Sequence, residues 1–195
     1  MKKTFILFFL IFSYTFSQNN GCPDINSCNF DNQVEFLLDF TEPSNTGNSM
    51  NIGIVSALEN NLDINDTIGV FYIINDTYEC AGLVQYNGSN TAINIFGDDP
   101  LTSAVDGPID GESIYFFIKR NIGNQISVFQ SFPQIVNAEN FDEVIPSVYT
   151  PNFLAVFLQL NLGPNVYSCE YPVFGFNCDG SCLDSDLDGV CDLSE

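Results

Sequence analysis

Along the middle of the chain the apolar residues fall at the spacing of β-strands. Met50-Asn51-Ile52-Gly53-Ile54 alternates apolar with small or polar positions, the period of a strand with one buried face. Thr67 to Ile74, Ala81 to Tyr86, Thr91 to Phe96, Ser113 to Ile118 and Ile126 to Phe129 are short runs rich in β-branched and aromatic side chains, which suit a pleated, half-buried surface. Clusters of Asn, Asp, Gly and Pro separate them, at Asn75-Asp76, Asn87-Gly88-Ser89, Gly97 to Pro100 and Asn121 to Asn124. Asn87-Gly88 between two strand-like runs predicts a β-hairpin, because both residues tolerate the positive φ of a tight turn. Phe153 to Leu160 is almost wholly apolar and reads as a buried strand rather than a helix, since Pro151 and Pro164 bracket it closely. Many short strands at this spacing predict an all-β fold, an antiparallel β-sandwich over residues 32–168.

The flanks follow other rules. Lys2 and Lys3 precede the apolar stretch Phe5 to Phe12, and Thr15 and Ser17 follow, the order of a secretory signal peptide over residues 1–17. The stretch is shorter than the roughly 20 residues a membrane-spanning helix needs, so no transmembrane anchor is expected. A lipid on Cys22 is disfavoured because Asn19-Asn20-Gly21 lacks the apolar residue that such attachment requires. Residues 18–31 form a polar, cysteine-bearing N-terminal motif. Residues 169–195 carry four cysteines and a run of aspartates, with too few apolar side chains for a core of their own.

Composition narrows the function. The 195 residues include 25 Asp and Glu against 4 Lys and Arg, and past the leader only Lys119 and Arg120 are basic. Nucleic acid and anionic membranes would be repelled. Seven cysteines behind a signal peptide predict disulfides and a secreted or cell-surface location. Their number is odd: one is buried, or pairs with another chain, or has its partner outside this sequence. With no histidine, Ser-His-Asp and Cys-His catalysis and histidine-ligated zinc are impossible. Paired carboxylates can hydrolyse glycosides without histidine, but nothing marks an acid here as buried with a raised pKa. No enzyme is expected.

The most specific pattern is Asp184-Ser185-Asp186-Leu187-Asp188-Gly189-Val190-Cys191-Asp192-Leu193-Ser194-Glu195. Calcium takes six to eight oxygen ligands, and alternate carboxylates in a turning loop supply them. With Asp184 as position one, Asp186, Asp188, Asp192 and Glu195 fall at three, five, nine and twelve, Gly189 takes the sharp turn at six, and Val190 offers its carbonyl at seven. Ca2+ is therefore the expected cofactor. Helices framing the loop are not expected, since Pro172, Gly175 and Gly180 lie upstream; a disulfide at Cys191 can take their place.

Asp184, Asp186, Asp188, Gly189, Cys191 and Asp192 resemble one unit of a thrombospondin type 3 repeat. That resemblance spans about a dozen residues and implies calcium binding, with a role in adhesion or in stiffening a link between extracellular modules. Gly21-Cys22-Pro23-Asp24-Ile25-Asn26-Ser27-Cys28-Asn29-Phe30-Asp31 is similar to a cysteine motif of modular secreted proteins of Bacteroidetes, and the stretches from Thr46 to Met50, Asp66 to Phe71 and Gly97 to Glu112 look like a sandwich module of the same proteins. Such chains are longer, so the resemblance implies a piece that stops short at Glu195. Asp98, Asp99, Asp106, Asp110 and Glu112 are candidates for a second cation site, with ordinary polar turns the favoured reading. The leading expectation is a calcium-binding adhesion or structural module whose partners are calcium and an extracellular protein or polysaccharide. The alternative is a carbohydrate-binding sandwich in which Tyr72, Tyr78, Tyr86 and Tyr115 stack on sugar rings.

Overall fold

A computed structural model of the chain describes residues 21–29, 31, 38–55, 61–160, 162–174 and 176–181. Among the described residues ten strands build two five-stranded sheets. They are β1 (Ser49–Ile54), β2 (Thr67–Ile74), β3 (Thr77–Gln85), β4 (Thr91–Phe96), β5 (Tyr115–Ile122), β6 (Gln125–Ser131), β7 (Gln134–Asn137), β8 (Asn140–Ile145), β9 (Leu154–Gln159) and β10 (Leu162–Glu170). One sheet, here sheet I, has the order β4-β1-β9-β7-β8, and the other, sheet II, the order β10-β6-β5-β2-β3.

The alternating runs bury the faces their period dictates. In β1, Met50, Ile52 and Ile54 point into the space between the sheets, where Ile93, Ile95, Ala155 and Phe157 of sheet I meet Ile68, Val70, Phe116 and Ile118 of sheet II. Phe116 and Phe157 join the two layers edge to face, with ring centroids 5.3 Å apart. β2 and β5 are buried on both sides, which accounts for their nearly continuous apolar sequences. Their second face carries Phe71, Tyr115 and Phe117. Leu38 and Phe40 and the sulfur of Cys169 cover it, making a smaller apolar cluster outside the sandwich.

Three of the connections behave as hairpins. Asn75 and Asp76 both adopt positive φ, 49° and 63°, between β2 and β3, as a two-residue turn matched to strand twist requires. Gly123 (φ 59°) turns β5 into β6, and Ala138 and Glu139 lie between β7 and β8. β8 is a short, exposed edge carrying Asp142 and Glu143, charges that discourage pairing with another chain.

One expectation needs correction. Asn87-Gly88 makes no hairpin: β3 closes one edge of sheet II and β4 one edge of sheet I, so the turn carries the chain between layers. Asn87 caps the turn by accepting from the Ser89 amide and hydroxyl, and Tyr86 drops into the core just before it. The two edges come so close that a Cβ on Gly82 would collide with the Asn94 carbonyl. The expected antiparallel β-sandwich is what forms, with one parallel pair in it: β1 runs beside β9, Ile52 next to Ala155. No local turn can encode that register, since about a hundred residues separate the two strands.

Candidate functional site

The calcium-ligand candidates Asp184, Asp186, Asp188, Val190, Asp192 and Glu195 lie outside the described residues, as do Cys182, Cys191 and the leader. What the structure supplies is the platform that carries the candidate loop. Cys22 bonds to Cys169 and Cys28 to Cys178, spanning 147 and 150 residues of sequence. The N-terminal motif is thus not closed on itself; each of its cysteines is tied to the end of β10 or to the segment beyond it. The bond to Cys169 occupies the Cys22 sulfur, which leaves none there for a lipid. Disulfides of this kind fit an oxidising, extracellular environment.

Hydrogen bonds complete this terminal knot. The Cys28 amide donates to the Glu170 carbonyl (2.6 Å), the Glu170 amide to the Asn29 side chain (2.9 Å), and the Tyr171 hydroxyl to the Asp24 carboxylate (2.9 Å). The Asn26 amide, and then Tyr171, hold the Asp24 carboxyl below its usual range. Past Cys178 the chain closes a turn in which Asn177 donates to the Ser181 carbonyl (2.8 Å), and both the amide and the hydroxyl of Ser181 donate to Asp179. The point from which residue 182 departs is therefore fixed three residues after a disulfide.

Beneath this turn lies a groove of about 410 Å³ lined by Cys28, Pro172, Val173, Phe176, Cys178 and Gly180. Val173 and Phe174 are 57% and 87% exposed. A second cleft, about 460 Å³, lies on the outer face of sheet II between Phe40, Lys119, Ile126, Tyr167 and Tyr171. Lys119 stands over the Phe40 ring, 4.8 Å from its centroid, and burial lowers the pKa of its amine.

Comparison of the chain with protein-family models, with curated proteins and with solved structures finds no match. The calcium expectation therefore rests on sequence chemistry alone: the candidate ligands are four aspartates, one glutamate and one main-chain carbonyl, all oxygen groups of the kind that hard cations such as Ca2+ take.

The second group of acids is used differently. Asp98 accepts from the Asp106 amide (3.1 Å), Asp106 from the Asp99 amide (2.8 Å), Asp99 from the Leu101 amide (2.9 Å) and Glu112 from the Ile109 amide (3.0 Å). These carboxylates cap turns, and among the described residues no three acids or cysteines converge as metal ligands. The tyrosines singled out for sugar stacking are packed as well. Tyr72 and Tyr86 lie in the inter-sheet core, and Tyr78 meets Tyr115 and Phe117 edge to face.

One polar cluster escaped the sequence reading. Arg120 makes a two-pronged bond to Asp66 (2.8 and 2.6 Å), a further bond to the Asn61 carbonyl (2.8 Å) and an ion pair with Asp63 (2.9 Å). Asp66 is only 1% exposed, so its charge is held by this partner. Nothing in the sequence says which of the 25 acids Arg120 meets. The thiol of Cys80 donates to the Gly82 carbonyl, and burial pushes its pKa up to about 11. Burial thus disfavours the Cys80 thiolate.

Proposed function

We propose that this chain is a secreted or cell-surface calcium-binding protein of modular design, with an adhesion or structural role and no catalytic one. The observation that carries this reading is the filled twelve-position register from Asp184 to Glu195, beginning only a few residues beyond a turn anchored by Cys28–Cys178. Without the ion, Asp184, Asp186, Asp188 and Asp192 repel one another. Coordination offsets that repulsion and orders the segment, so binding free energy becomes folding free energy. The disulfide-held root then transmits the ordered loop's orientation to the sandwich, turning a segment of chain into a stiff connector toward an extracellular protein or polysaccharide. The proposed partners exclude nucleic acid, which the acidic charge repels.

The alternative reading, carbohydrate binding by the sandwich, has its best surface in the cleft of Phe40 and Lys119, not in the tyrosines that the sequence suggested. Calorimetric titration of residues 18–195 with calcium, beside Asp188→Ala, tests the leading proposal. Saturable heat from the first protein and none from the variant is the expected result. Heat from neither would end the calcium reading and move attention to glycan binding at that cleft.

A further inference from the structure

One amine in the molecule has no carboxylate to serve. Beyond residue 17 only Lys119 and Arg120 are basic, and Arg120 is committed to Asp63 and Asp66. Among the described residues Lys119 makes no ion pair, although the chain carries 25 acids. It is half-buried, its ammonium lies over the Phe40 ring, and Asp39 attracts it only from beyond ion-pair reach. The ring meets one side of the ammonium and leaves its other N–H groups without an acceptor. A cation taken partly out of water with no counterion carries a cost that a bound anion offsets.

Sheet register places its neighbours. Lys119 pairs with Val128 on β6, and Val128 with Tyr167 on β10, so the three share one row on the outer face of sheet II. Strands lie about 4.8 Å apart, which sets Lys119 and Tyr167 about 10 Å from each other across a floor of Val128. Ile126 and Tyr171 complete the cleft, and Asp39 stands at its exposed rim. The key side chains are held in place. A Cβ on Gly69 would strike the Phe40 ring, which seats there on bare backbone, and Asp24 accepts from the Tyr171 hydroxyl.

A fixed cation, a carboxylate and a fixed aromatic wall thus meet in about 460 Å³, the scale of a small-molecule site. An aromatic wall takes the C–H face of a sugar ring, a carboxylate accepts from its hydroxyls, and the ammonium calls for an anionic substituent. A simple aromatic acid would suit the lysine and the wall but would cover Asp39 without giving it a donor. A neutral sugar would leave Lys119 without its counterion.

We propose that this cleft binds a carboxylated sugar, a uronate residue of an extracellular glycan, with its carboxylate on Lys119 Nζ, its apolar face on Tyr171 and Ile126, and a hydroxyl donating to Asp39. The proposal rests on the carbohydrate-binding reading of the cleft and adds the charge of the sugar; it needs nothing from the calcium loop. A terminal uronate suits this acidic protein better than a long polyuronate, whose further charges its surface would repel.

The test is calorimetric titration of the full chain, in calcium-free buffer, with a glucuronate-terminated disaccharide, its neutral glucose-terminated counterpart and phenylacetate. Lys119→Met keeps an unbranched apolar stem over Phe40 without the charge, and Lys119→Arg keeps the charge. The expected result is saturable binding of the acidic disaccharide about tenfold or more tighter than the neutral one, the scale of one charge-assisted hydrogen bond. That preference should vanish in K119M and persist in K119R; the comparison of sugars in the parent protein stands whether or not K119M folds. Equal affinity for the two sugars overturns the acidic specificity and leaves the carbohydrate reading intact. Acidic-sugar binding undiminished in a folded K119M overturns this cleft as the site, and phenylacetate binding as tightly as the uronate overturns the sugar. Heat from neither sugar overturns the proposal together with the reading beneath it.

Discussion

The sandwich and the terminal knot are held by different physics. Between the sheets, stability comes from burying Ile, Val, Met and Phe side chains that alternate along each strand, and one charged group, Asp66, is tolerated at its margin because Arg120 grips it. At the knot few apolar residues are buried, large ones remain exposed, and two disulfides with a handful of hydrogen bonds fix the chain. Among the described residues the inter-sheet core contains no disulfide of its own, although the knot's two bonds, which close loops of 147 and 150 residues, stabilise the whole fold. The knot depends on an oxidising compartment and, on our proposal, on calcium. The lesson is that a core built by burial can end in a segment fixed by covalent bonds instead, where few apolar side chains are buried.

The largest effect should come from the core. Phe157→Ala removes a ring 2% exposed that joins both layers, and the urea midpoint should fall by an amount equal to about 4 kcal/mol, in oxidised and reduced protein alike. A loss confined to one redox state would break the distinction between the regions. Arg120→Ala should cost about 3 kcal/mol, because it strands the buried Asp66 carboxylate, and combining it with Asp66→Asn should recover part of that loss.

Replacing Cys28 and Cys178 together by serine should cost about 2 kcal/mol, less than a lone disulfide of this span because Cys22–Cys169 still restrains the unfolded chain. Far-UV circular dichroism of the sandwich should be unchanged, whereas calcium affinity should drop as the loop loses its fixed root. The smallest effect is a pH dependence. Asp24 has its pKa lowered in the folded protein, so its contribution is complete above the ordinary carboxylate value and is lost as pH falls through the folded one. Asp24→Asn should flatten the decline in melting temperature below about pH 4, measured against the parent protein.

Much of the strand content could be read directly. The runs at Met50–Ile54, Thr67–Ile74, Thr91–Phe96 and Phe153–Leu160 became β1, β2, β4 and β9 because period and bracketing prolines are local signals. β7, β8 and β10 were not recognised. β8 is a polar edge without a buried face, and β10 carries Gly163, Pro164 and Asn165 with breaks in its register, features that look like a loop in sequence. Of the candidate site, the ligand register is wholly a matter of sequence, whereas its anchoring at Cys178 is not.

By itself, the sequence determined the all-β class, the tendency to form disulfides and the oxygen-only donor set at Asp184–Glu195, since each depends on residue type and on spacing of a few positions. Tertiary structure alone decided which sheet each strand joined, the parallel union of β1 with β9, the pairing of Cys22 with Cys169 and Cys28 with Cys178, and the choice of Asp66 for Arg120. These join residues about fifty to a hundred and fifty positions apart, and which of the competing partners is met depends on how the two layers pack, a property of the whole chain rather than of any window within it.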